Sequence, residues 1–156
     1  MRRFSSQRVF GTEQLDARLR VGLVGHWCSG GSGLTWQDRS GYQHAGTFTN
    51  APLWTLGVGG SRHAVAFDGV NQEVHSTAID LSGTAVLTIA FWLKWTSYAN
   101  NDKMAFQLST GDNDVTGSFY ISPNSSVANN FGIYLGGGAG SNGGGFPRPS
   151  AAEWHH

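Results

Sequence analysis

The stretch Val86-Leu-Thr-Ile-Ala-Phe-Trp-Leu-Lys-Trp95 constrains this chain more than any other. Strand side chains alternate, so Leu87, Ile89, Phe91, Leu93 and Trp95 would share one face. Thr88, Ala90, Trp92 and Lys94 would share the other. The first face is wholly apolar, and the second is half apolar and carries an indole. That pattern suits the middle of a β-sandwich sheet. A ten-residue helix is the competing reading. The β-branched and aromatic content argues against it, as does the breaker Gly83 just upstream.

The rest of the composition agrees with a β-rich chain. Only 13% of the residues are charged, 12% are aromatic and 23 are Gly, which fits a protein built from strands and turns. With 156 residues, one domain with a real core is expected. Ten basic and ten acidic side chains cancel, which leaves no electrostatic reason to expect nucleic acid or a membrane as partner. Cys28 is the only cysteine, so no intrachain disulfide forms. A lone Cys is read as a small buried hydrophobe before a nucleophile.

Residues 1–20 differ from the rest of the chain. Arg2, Arg3, Arg8, Arg18 and Arg20 supply half of the 10 basic side chains. No apolar run of signal-peptide length comes after Arg2-Arg3, and no run is long enough to span a bilayer. Residues 13–20 have the composition of a short helical turn or two. The segment reads as an N-terminal arm, mobile or docked on a partner, with a hook that inserts into a larger assembly as the sharper alternative.

Strand signals then recur at short intervals. Gly22-Leu-Val-Gly-His-Trp27 is extended in character, and Cys28-Ser-Gly-Gly-Ser-Gly33 is a loop by composition. Trp36 to Tyr42 contains a turn, where Asp38 and Ser40 bond the following backbone and Gly41 supplies a positive φ. Gly46-Thr-Phe-Thr49 is a further strand. Asn50 to Trp54 and Gly57 to Gly60 read as a loop. Ala64-Val-Ala-Phe67, the turn Asp68-Gly69 and Glu73-Val-His-Ser76 have a hairpin signature. Met104 to Leu108, Ser118 to Ile121 and Phe131 to Leu135 read as three more strands. The Gly-rich run Gly136 to Gly145 lacks the Lys-Ser/Thr of a phosphate loop and reads as a flexible surface loop. No stretch has a helical period. The spacing implies an all-β sandwich.

Several of these pieces, in their order, carry a resemblance. Gly22-Leu-Val-Gly-His-Trp27 is succeeded by Asp38-x-Ser40-Gly41 and then His44-Ala-Gly46-Thr47. Ala66-Phe-Asp-Gly-Val70-x-x-x-Val74, Leu87-Thr-Ile-Ala-Phe-Trp92 and Glu153-Trp-His-His156 come next. Together they resemble laminin-G-like, concanavalin-A-like jelly-roll domains, over about Gly22 to His156. The resemblance implies an antiparallel jelly-roll β-sandwich that binds carbohydrate or protein, often with a calcium ion at the loop rim. Some relatives with that fold are glycoside hydrolases. In the family, Glu153-Trp-His-His156 would open a long strand that continues. The domain, residues 21–156, is therefore expected to be incomplete at its C-terminus.

Catalysis is not expected. Glycoside hydrolysis needs two carboxyl groups about one bond. The hydrolases of this fold resemble one another by a strand reading Glu-x-Asp-x-x-Glu, which this chain lacks. Its strands are nearly free of acids apart from Glu73. No His-Glu-x-x-His or Cys pair offers a zinc site.

For calcium, Asp112-Asn-Asp-Val-Thr-Gly117 has the first half of a binding loop. Pro123 stands where the bidentate Glu would be, so an acidic hairpin loop is the better reading. Asp38 and Asp68 sit in turns, where Asp commonly caps the backbone. The resemblance raises Asp38, with His44 at the end of the adjoining turn, to the foremost calcium position.

Six Trp residues suggest sugar stacking, since an indole face suits the apolar face of a pyranose. Trp27, Trp92 and Trp95 lie in expected strands and read as core. Trp36 and Trp54 are flanked by loop residues and are candidate ligand contacts, although packing is the more ordinary fate of an indole. Tyr98 and Asn100 would stand at the sandwich rim, where binding residues gather. Phe67, Ile89, Phe91 and Leu93, with Trp92 or Trp95, are the expected core.

Three functions are expected, in descending order. The first is a non-catalytic recognition module whose ligand is a glycan or a protein, carbohydrate foremost. The second is a structural or adhesive component of a virion or cell surface, whose arm docks on a larger assembly. The third is a fragment of a glycoside hydrolase. No nucleic acid and no membrane insertion belong to any of them, and an extracellular, surface or virion location suits the first two.

Overall fold

The computed structural model describes residues 21–28, 33–60, 63–96, 104–109, 118–122, 130–136, 142–147 and 149–156. The arm at residues 1–20, Tyr98, Asn100 and the Asp112 loop lie outside the described residues. Among the described residues the regular structure is mostly strand, consistent with an all-β chain, and pairing is antiparallel throughout three sheets. Among the described residues, no helix is long and apolar enough to cross a membrane. The chain falls into two compact units, Met1–Gly83 and Thr84–His156.

In the first unit, β1 (Thr35–Trp36), β2 (Gly46–Thr49) and β5 (Glu73–Ser76) form one sheet in the order β1-β2-β5. β3 (Leu53–Leu56) and β4 (His63–Ala66) form a second. The hairpin β3–β4 is thus inserted between two strands, β2 and β5, that pair with each other. Phe48 lies opposite Val74 in that pairing and is buried. Gly46 lies between two neighbouring strands. A Cβ there would stand 2.6 Å from Val74 Cγ1 and 3.3 Å from Trp36 Cβ, so only glycine fits. Trp54 on β3 joins the two sheets, with its ring 5.3 Å from Phe48 and 6.2 Å, edge to face, from Trp36.

This topology corrects three expectations. The turn at Asp68-Gly69 forms, with Val70 N–H donating to Asp68 Oδ1 and Gly69 at φ +74°. The strands on either side of it nevertheless lie in different sheets, so the expected hairpin of Ala64–Phe67 with Glu73–Ser76 is absent. The expected loop from Asn50 to Trp54 turns into β3 at Leu53. Phe67 is 49% exposed, because β4 ends at Ala66 and the turn carries Phe67 off the sheet.

In the second unit, β6 (Phe106–Leu108), β7 (Phe119–Ser122), β8 (Asn130–Leu135) and β9 (Asn142–Pro147) form a four-stranded meander. Its register puts Phe106, Phe119, Ile121 and Phe131 on one face. That face packs against the stretch at 86–95, with Trp95, Ile121 and Phe131 buried and Phe91 and Leu93 packed on them. From Thr88 to Trp95 the phase of this stretch is as expected: Ile89, Phe91 and Leu93 are half-buried, Trp95 is buried, and Thr88, Ala90 and Lys94 are exposed, but Leu87, expected on the same face as Ile89, is 42% exposed. Trp92, on the opposite face, is 54% exposed and is not core. The stretch is also not a strand in mid-sheet. Its one ladder contact among the described residues is an antiparallel bridge from Leu93 to His155. Part of the glycine run departs from the expected surface loop and becomes β9, paired residue by residue with β8. Glycine weakens a strand in isolation, and the ladder to β8 overrides that preference.

Candidate functional site

The turn after β1 is built on the Asp38 carboxylate. Its Oδ1 accepts the His26 N–H and the Ser40 N–H, each at 2.8 Å. Its Oδ2 accepts the Ser40 hydroxyl at 2.6 Å and the His44 N–H at 2.9 Å. Partial burial alone would raise the Asp38 pKa. The hydrogen bonds from Ser40, His26 and His44 outweigh it and hold the group at about 2, below its ordinary 3.8. His44 Nδ1 lies 2.9 Å from Thr77 Oγ1, and the His44 carbonyl accepts the Trp27 indole N–H at 2.6 Å. A carboxylate has about four lone-pair positions, and donors already occupy that many here. The Asp38 and His44 arrangement therefore does not fit a calcium ion. Among the described residues, no three His, Cys, Asp or Glu side chains gather in a way that could hold a metal.

Trp36 and Trp54 are brought together, but edge to face, with Trp54 in turn packed on Phe48. Each indole N–H is tied to the chain, Trp36 to the Cys28 carbonyl at 3.2 Å and Trp54 to the Gly33 carbonyl at 3.1 Å. Both rings are half-buried. These bonds tie the backbone at Cys28 and at Gly33 to the two indoles. Asp68 serves its own turn, and its N–H donates to Gln72 Oε1 at 2.8 Å.

A different aromatic pair stands on the four-stranded sheet, on the face away from the Phe131 core. Tyr120 on β7 and Tyr134 on β8 are direct cross-strand partners. Their rings are stacked, 4.7 Å apart and 12° from parallel. On the other side of Tyr134, the cross-strand partner on β9 is Gly143, and Gly132 pairs with Gly145. No directly opposite side chain therefore meets Tyr134 from β9. The ring leans along its own strand over Gly132, whose missing Cβ leaves room for it. Gln107, opposite Tyr120 on β6, is exposed on the same face. Among the described residues β9 is an edge strand, so alternate amides of its glycines point away from β8. A flat ring beside a side-chain-free strip of backbone can take the C–H face of a ring-shaped polar molecule and hydrogen-bond its rim.

The sequence did contain a signal for this pair. Alternation in Phe119-Tyr-Ile-Ser122 and in Phe131-Gly-Ile-Tyr134 places each tyrosine on the polar side of its strand. Their juxtaposition depends on the β7–β8 register, which alternation does not supply.

No protein-family model, curated protein or solved structure matches the chain.

Proposed function

We propose that this chain is a non-catalytic recognition module of the jelly-roll class whose ligand is carbohydrate. The observation that carries the reading is the Tyr120–Tyr134 stack, with Tyr134 registered opposite a glycine of β9. An aromatic face pairs with the apolar C–H face of a pyranose, and edge-strand amides with Gln107 supply partners for hydroxyl groups. A chain with 13% charged residues suits a neutral ligand better than a polyanion. Neither calcium at Asp38 nor a catalytic carboxylate pair belongs to the proposal.

The test is a glycan array followed by titration calorimetry on any hit. Tyr134→Ala should weaken binding at least tenfold while the far-ultraviolet circular dichroism is unchanged. Binding that persists undiminished in both Tyr134→Ala and Tyr120→Ala would refute this site.

The second reading, a structural or adhesive component of a virion or cell surface, is favoured by one observation. Val86 to Trp92 is extended, largely apolar backbone that makes no backbone hydrogen bond among the described residues.

A further inference from the structure

The unpaired stretch carries an inference that is independent of the carbohydrate reading. Leu93 N–H donates to the His155 carbonyl and Leu93 C=O accepts the His155 N–H, each at 2.9 Å, and Trp95 C=O accepts the Ala152 N–H at 2.8 Å. In an extended chain, alternate residues direct their backbone groups to the same edge. The backbone of Leu87, Ile89 and Phe91 therefore faces the edge that His155 begins to occupy. That of Val86, Thr88, Ala90 and Trp92 faces the opposite edge. Along Val86 to Trp92, neither edge has a backbone partner among the described residues.

The side chains are those of a sheet strand and not of a loop. Exposure alternates from Thr88 to Trp95, and none of these residues has a positive φ. Val86 is 81% exposed and Trp92 54%. Between Val86 and Leu93 there is no charged residue, no Pro and no Gly. Native edges are normally blunted by such residues, and this one is not.

We propose that the stretch is a homotypic interface, in which Val86–Trp92 of two copies pair antiparallel about a two-fold axis at Ile89. Phe91 of both copies then remains packed on its own core, and the exposed Leu87 of one copy lies beside Phe91 of the other. Thr88 pairs with Ala90 across the interface. Val86 pairs with Trp92, so the two most exposed apolar side chains of the stretch cover each other. The charge pattern is self-complementary in this register. Lys94, the nearest charged side chain, faces Thr84 of the other copy, and no like charges meet. A register that paired the lysines would set Leu93 and Trp95 across the axis, where His155 and Ala152 already bond one edge.

Sedimentation equilibrium of the full chain tests this. Wild-type protein at about 100 µM should have twice the chain mass. Thr88→Lys with Ala90→Lys places lysines opposite one another at exposed positions and should give the single-chain mass. Thr88→Glu with Ala90→Glu should do the same, and mixing the two double variants should restore the two-chain mass. A single-chain mass for the wild type would overturn the proposal. Slow amide exchange at Val86–Trp92 in such a monomer would mean that another segment of the same chain covers the edge. A two-chain mass that survives in the Lys double variant would place the interface elsewhere and overturn it equally.

Discussion

Leu93 and His155 exchange both of their backbone hydrogen bonds, each 2.9 Å long. The His155 ring also lies 5.2 Å from the buried Trp95 ring, 27° from parallel. The last residues of the chain are thus fastened to the organising stretch by backbone and by ring at once. The two contributions separate by mutation. His155→Ala keeps the bridge and loses the stack together with the exposed contact of Nε2 to the Ser150 carbonyl, at a cost of about 0.5–1.5 kcal/mol for the stack and less for the contact. His155→Pro also removes the N–H, and the Leu93 carbonyl then lacks its partner, which adds about 1–3 kcal/mol. Urea unfolding followed by tryptophan fluorescence should rank wild type above His155→Ala, and His155→Ala above His155→Pro. Equal midpoints for the two variants would mean that the bridge contributes nothing.

The second unit has a small core, so single truncations in it should be felt strongly. Phe131 is buried against Trp95, with the rings 5.9 Å apart. Phe131→Ala should cost about 3–5 kcal/mol. Phe67, half exposed beyond the end of β4, should cost less than about 1 kcal/mol when replaced by Ala. Denaturation midpoints of the two variants check this. A Phe67→Ala loss as large as that of Phe131→Ala would contradict the exposed position of Phe67.

Local chemistry was legible in the sequence where each residue's own backbone decides the outcome. Asp38, Ser40 and Gly41 announce their turn, and Gly41 takes φ +99°. The alternation of residues 88–95 gives the buried face of that stretch without a ladder to enforce it. Pairing was not legible. The Asp68-Gly69 turn says that the chain reverses, but not that Val74 will find Phe48 while Val65 finds Trp54. The Asn50 side chain donates to the Asn71 carbonyl at 2.7 Å and that of Gln72 to the Ala51 carbonyl at 3.2 Å. These bonds between segments more than twenty positions apart hold the ends of the inserted hairpin together, and no short-range pattern encodes them. β9 was hidden for a different reason: three consecutive glycines carry no side-chain period to read.

The Asp38 cluster makes a prediction about acid. The folded pKa of about 2 lies below the ordinary 3.8, so protonation favours the unfolded chain. The stabilisation is therefore complete above about pH 4 and is lost as the pH falls through about 2. For a half-buried group, screened in part by solvent, it amounts to roughly 1–2 kcal/mol. Asp38→Ala should be destabilised at neutral pH and should lose less stability than wild type between pH 4 and 2. Thermal unfolding across that range checks it. The same experiment with millimolar calcium at pH 7 should leave the wild-type midpoint unchanged. A rise that Asp38→Ala abolishes would show that a cation displaces the four donors.

The tyrosine stack can be displaced without removing a tyrosine. Gly132 lies beneath the Tyr134 ring, and a Cβ there would stand 2.7 Å from Tyr134 Cζ, well inside contact distance. Gly132 has no positive φ, so Gly132→Ala introduces no backbone strain. The end of the Tyr134 side chain must instead swing away, and the parallel stack on Tyr120 opens. Gly144 is the control, on the neighbouring strand and next in sequence to Gly143, the register partner of Tyr134. A Cβ at Gly144 meets nothing within 4 Å, and its own register partner Ile133 lies on the core side of β8. Ring-current-shifted resonances of Tyr120 and Tyr134 should therefore move in Gly132→Ala and stay in place in Gly144→Ala. If the stack is the sugar platform, glycan affinity should fall in Gly132→Ala nearly as far as in Tyr134→Ala, and should hold in Gly144→Ala. Wild-type affinity in Gly132→Ala alongside shifted tyrosine resonances would separate the stack from binding. The tyrosines would then be left with a packing role alone.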